Sequence, residues 1–235
     1  MKVLTYGSNE SNHVRRSVLM KNTSIFALAA GMGSMFLASS ASADVAAELV
    51  SMGSNSEGHT YRMYITGLAD GDRIDAVYGN ADNALSIAGN FYENNFGGNT
   101  SMSINPALIA VFPSLANDSW VTIGATDMFG GNALNDIGMN FDAGNYNTTN
   151  GSWFVTPDDA QGVAVGGSVL IGQFTVVGGT GNVSDDFSSA LVNVQGSVDG
   201  VSGSSFNITG LNAIPAPGAL ALLGVAGLVS RRRRK

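Results

Sequence analysis

The chain has 235 residues, 12% of them charged, and no cysteine, so disulfides, thiolate metal sites and cysteine nucleophiles are excluded. Its basic residues cluster at the two ends; between Asp44 and Ala213 only Arg62 and Arg73 stand against seventeen acidic residues, a formal charge of −15. A body this acidic repels phosphate backbones, which argues against nucleic-acid binding and favours cation binding or simple solubility.

The first element in chain order is "MKNTSIFALAAGMGSMFLASSASADV", starting at Met20. Lys21, an apolar stretch from Ile25 to Ala38 and then Ala41-Ser42-Ala43 follow the three-part plan of a secretory signal peptide, with cleavage after Ala43 by signal peptidase. Residues 1–19 are polar and suit no such plan, so Met20 is an alternative start. Arg15 and Arg16 alternatively extend the positive region. The expected organisation is therefore a signal-peptide helix over 1–43, a body over 44–213 and a separate tail over 214–235.

The body is rich in glycine and asparagine, and short β-branched and aromatic runs alternate with turn clusters, which predicts an all-β fold. "DVAAELVSMG" starts the set. "HTYRMYITG" places Tyr61, Met63 and Ile65 on one face. "DRIDAVYGN" sets Ile74, Ala76 and Tyr78 against Arg73, Asp75 and Val77. "PALIAVFPSLANDS" reads as a short helix or plug within a long irregular insertion from Asn80 to Asp118. "SWVTIGA" and "GSWFVTP" follow. "GSVLIGQFTVVGG" sets Val169, Ile171, Gln173 and Thr175 against Leu170, Gly172, Phe174 and Val176. "SALVNVQGSV" and "SSFNITGL" complete about eight strands, the number of a single β-sandwich or jelly-roll-like domain.

Signals for catalysis are sparse. His13 lies in the removable segment, and His59, just before a strand, reads as a solvent-exposed structural histidine with no triad partner. Two histidines are too few for a histidine-cluster metal site. Hard cations need only oxygen ligands, so calcium stays open, with Asp70, Asp72 and Asp75 as weak candidates. The competing reading makes them turn-forming acids at strand ends. No other cofactor is expected. Tyr61, Tyr64, Tyr78, Phe91, Tyr92, Trp120 and Trp153 offer rings for stacking on sugars, although the strand pattern assigns most of them to the core.

The tail "IPAPGALALLGVAGLVSRRRRK" has 12 apolar or glycine residues from Gly218 to Val229, short of the roughly 20 of a conventional membrane span, followed by a basic stop. Such a segment makes a weak, transient anchor. Pro215-Ala216-Pro217-Gly218, the apolar run and Arg231, Arg232, Arg233 and Arg234 together resemble the PEP-CTERM sorting signal, with alanine in place of the eponymous glutamate. The resemblance implies an exosortase as processing partner, brief anchoring in the inner membrane, and release to the cell envelope or extracellular matrix, where such proteins are often linked to exopolysaccharide and biofilm. The expected role is structural or adhesive rather than enzymatic, with extracellular polysaccharide as a partner. The alternative is a secreted carbohydrate-binding or glycoside hydrolase-like protein on the same sandwich.

Overall fold

The apolar and aromatic runs become twelve strands among the described residues, which in this computed structural model are 44–142, 144–157, 159–199 and 204–215. They are β1 (Ala46–Ser54), β2 (His59–Thr66), β3 (Arg73–Gly79), β4 (Leu85–Gly89), β5 (Trp120–Val121), β6 (Asn135–Ile137), β7 (Asn140–Asp142), β8 (Asn145–Thr148), β9 (Gly151–Phe154), β10 (Ser168–Val176), β11 (Phe187–Ser197) and β12 (Ser205–Asn212). Ala41, Ala43, Ala216, Pro217, Gly218 and Arg231 to Arg234 lie outside the described residues. Pro215 is described and exposed.

All named strand pairs are antiparallel, and they form two sheets, the all-β sandwich-like arrangement expected from the pattern. The first sheet has the order β1-β2-β10-β5. In the second, β3 and β4 lie end to end along one edge of β11, Tyr78 opposite Asn193 and Ser86 opposite Leu191. β8 and β9 pair with β4 and β3, and β7 and β6 pair with β8 and β9. Each of these rows is one long strand broken at the same level, by residues 80–84, 149–150 and 138–139. β12 lines the other edge of β11. The second sheet is thus five rows wide with a transverse seam, and Asn193 fills it. Its Nδ2 donates to Tyr78 O and Asn83 O, 2.9 Å each, and its Oδ1 accepts from Gly210 N at 2.8 Å.

This changes the expected picture at β4. The stretch from Asn80 to Asp118 is not wholly irregular, because Leu85 and Ile87 are buried and fix a strand within it. β6, β7 and β8 are short and asparagine-rich, and pairing with neighbours rather than intrinsic preference makes them strands. The "PALIAVFPSLANDS" segment does hold a short helix, α1 (Pro106–Ile109), capped by the Asn105 side chain on Ala107 N. Ile104 and Leu115, flanking α1, pack with Trp120 and Leu170 in a second small apolar cluster.

The main core lies between the sheets. Trp153, Tyr61, Met63, Ile65, Ile87 and Phe174 have no or almost no exposure, and Phe91, Tyr146, Phe174 and Phe187 meet edge-on or tilted with ring centres 5.2–6.2 Å apart. Two bulges correct the expected alternation. In β3 the register against β11 skips Asp75, so Ile74 and Val77 face the core rather than Ile74, Ala76 and Tyr78. In β10 it skips Ile171, so Val169 and Ile171 share the core with Phe174 and Val176. One extra residue reverses every side chain beyond it.

Candidate functional site

The three candidate calcium ligands engage separate partners. Asp70 Oδ1 accepts from Gly167 N (3.0 Å), and Asp72 accepts from Ala69 N and Asp199 N (3.1 Å each). Asp75, buried in the β3 bulge, accepts from Ser197 Oγ at 3.2 Å. The first two arrangements are those of turn-forming acids. Among the described residues no three His, Asp or Glu side chains gather as a metal site would require.

His59 is buried, 8% exposed, and not solvent-exposed as its position before a strand suggested. The bulge at Met52 in β1 turns both neighbouring serines toward the ring: Ser51 Oγ lies 2.6 Å from Nε2 and Ser54 Oγ 2.9 Å from Nδ1. Gly181 covers the imidazole, and a Cβ there would sit 3.0 Å from His59 Cε1. A serine on one ring nitrogen and an orienting group on the other is the layout of a nucleophile and its base. Acyl transfer also needs N–H donors for an oxyanion. In the covering loop Gly179 N donates to Val176 O, and Thr180 N and Gly181 N donate to the Asp186 carboxylate, so these three N–H groups are already engaged. Tyr61 donates to that carboxylate as well, at 2.5 Å.

A second set of ionisable groups lies beside the aromatic cluster. Tyr146 donates to Glu93 Oε1 at 2.5 Å and contacts Ser119 O at 3.1 Å. Burial pushes the Glu93 carboxyl up to about 7, opposed by the Tyr146 hydrogen bond and reinforced by the charge of Asp118. Burial likewise pushes Asp118 up to about 6, against hydrogen bonds from Asn94 N, Gly98 N and Ser119 N. Two raised carboxyls invite comparison with a glycosidase pair. Asp118, however, has no exposed surface, and both its oxygens are held by backbone N–H groups, so it closes the 94–98 loop rather than facing a substrate.

An open pocket lies elsewhere, where the chain crosses from β5 to β6. Gly124, at φ 71°, lets the backbone lie directly on the 159–161 turn; a Cβ there would meet Gln161 O at 1.9 Å. Gln161 Nε2 donates to Ile123 O (2.7 Å) and Asn132 Oδ1 (2.9 Å), and its Oε1 accepts from Ala133 N (2.8 Å). Asn132 Nδ2 donates to Asp127 O (2.8 Å) and Ser101 Oγ (2.9 Å). These locked amides wall a cavity of about 310 Å³ shared with Phe129, Gly130, Gly131 and Asp159. Asp127 Oδ1 accepts from Phe129 N at 2.9 Å, and the Phe129 ring is left 57% exposed.

Of the aromatic residues singled out in the sequence, Tyr61, Phe91, Trp120 and Trp153 are buried and Tyr64, Tyr78 and Tyr92 are half-buried. Among the described residues the exposed phenylalanines are Phe129 and Phe96; Phe96 stacks on Phe112 with centres 3.9 Å apart. "TDMFGGN" carries the one local signal that marks the pocket: a turn-forming Asp followed by an aromatic and two glycines. Compared with protein-family models, curated proteins and solved structures, the chain matches none.

Proposed function

We propose that this chain is an exported protein of the cell surface or extracellular matrix with a non-catalytic, structural or adhesive role. The observation that carries the reading is the pairing of a signal-peptide plan with a PEP-CTERM-like tail around one acidic body. Signal peptidase acts after Ala43, and an exosortase acts on the tail that starts at Pro215-Ala216-Pro217. Among the described residues no helix is long and apolar enough to cross a membrane.

Two features of the body favour a non-catalytic role. Three N–H groups of the loop over the Ser51–His59 pair are already engaged, and the raised carboxyl of Glu93 has as neighbour an Asp118 with no exposed surface. A two-carboxylate glycoside hydrolase would require a second accessible carboxylate across a cleft. Intact-mass measurement of the exported protein tests the processing. The expected mature chain begins at Asp44 and lacks the basic block; one that retains Arg231 to Lys235 overturns the sorting reading.

A further inference from the structure

We propose that the pocket between the β5–β6 loop and the 159–161 turn binds one residue of a neutral sugar chain, with Phe129 as the stacking face and Asp159 as the hydroxyl acceptor. The proposal rests on the adhesive reading above and names its ligand class.

The pocket is built before any ligand arrives. The Asn132 and Gln161 amides use both N–H groups of each on protein acceptors, and Asn132 Oδ1 accepts from Leu134 N (3.1 Å) as well as from Gln161. They hold the walls and are not themselves the recognising groups. Recognition falls to what they leave: the backbone of Gly130 and Gly131, the Phe129 ring and Asp159. Asp159 Oδ1 accepts from Gln161 N at 2.8 Å, and its other oxygen takes no hydrogen bond among the described residues. A Cβ at Gly130 or Gly131 would meet nothing within 4 Å, so these peptide groups border open space.

The chemistry of these groups selects the ligand. Among the described residues no basic side chain lines the pocket, and the only cations of the body, Arg62 and Arg73, lie in β2 and β3. Uronates, sulfated glycans, phosphates and nucleotides would meet Asp159 and the −15 field with no counter-charge. A calcium ion would find a single carboxylate among the described lining residues. A purely apolar ligand would leave Asp159 and the bare peptide groups desolvated without partners. A neutral pyranose has what fits: a C–H face for the Phe129 ring and hydroxyls that donate to the carboxylate and exchange hydrogen bonds with the glycine backbone. The volume, about 310 Å³, stands at the small end of ligand sites. It suits one sugar unit, and the exposed Phe129 lets the rest of the chain run out over the rim.

The test is an array of neutral gluco-, manno- and galacto-oligosaccharides, with alginate and heparin as anionic probes. The full-length chain is applied with calcium or with a chelator. Binding of a neutral oligosaccharide that is indifferent to the chelator is expected. Phe129→Ala should weaken it by about tenfold or more and Phe129→Trp should preserve it. Asp159→Asn, which keeps an oxygen for Gln161 N, should weaken it by about fivefold or more. Phe96→Ala should leave it unchanged. Binding of anionic polymers alone, dependence on calcium, indifference to Phe129→Ala, or no binding each overturns the proposal. Such a failure in a correctly processed chain leaves the export reading intact, and sugar binding by a chain that keeps its tail leaves the pocket intact.

Discussion

Asn193 shows how a single side chain holds this sheet together. It is fully buried and satisfies three backbone groups at the level where three rows of the second sheet break. Asn193→Ala leaves Tyr78 O, Asn83 O and Gly210 N without their partner, at a cost of about 2–3 kcal/mol. Thermal denaturation should show the melting temperature falling by roughly 4–12 °C; a fall of under one degree would mean that the seam is held by other contacts. The acids of the β2–β3 turn behave differently. Asp70 and Asp72 already accept backbone N–H groups, and calcium is expected to leave the melting temperature unchanged. A calcium-dependent rise in melting temperature would place an ion site on the body after all.

At the scale of elements, the β5–β6 connection separates two roles of glycine. Gly124 and Gly130 both have φ 71°, so a side chain strains either backbone, by about 1–2 kcal/mol. Only at Gly124 does the new Cβ also strike Gln161 O, 1.9 Å away. Gly124→Ala should therefore be clearly the more destabilising of the two, and equal losses for the two variants would mean that the loop does not rest on the 159–161 turn. The strands divide in a similar way. β2, β9, β10, β11 and β12 were legible because β-branched and aromatic residues cluster locally. β6, β7 and β8 were not, because "NDI", "NFD" and "NYNT" carry no β signal until a neighbouring row pairs with them. The bulges at Asp75 and Ile171 were equally hidden, since each depends on the partner strand's register.

For the molecule as a whole, pH is the informative variable. Glu93 and Asp118 are pushed up to about 7 and about 6, so below those values the folded chain holds protons that the unfolded chain has released. Stability should rise as pH falls from neutral to about pH 5, by an amount on the order of 2 kcal/mol, with relief of surface repulsion adding in the same direction. Asp186 has the opposite sign. Burial alone would raise its carboxyl, but the hydrogen bonds from Thr180, Tyr61 and Gly181 outweigh burial and hold it below the ordinary range. Its contribution is present above the unfolded value and is lost in stronger acid. Denaturant unfolding across this range should show a maximum near about pH 5. Glu93→Gln should flatten the neutral limb, and an unchanged limb in that variant would remove Glu93 as its cause.

The β character of the body, the cores of its longer strands, the absence of thiol chemistry and the partition of charge can be read along the chain alone. These follow from composition and a two-residue period, which are properties of neighbouring residues. The processing segments were likewise read as local patterns, and all of them but Ile214 and Pro215 fall outside the described residues. Packing alone buries His59 between two serines, seals Asp118 but not Glu93, and brings the 124–134 loop and the 159–161 turn together around a pocket under Phe129. Those facts join residues far apart in the chain. Burial, register and a shared cavity exist only once the sheets have packed.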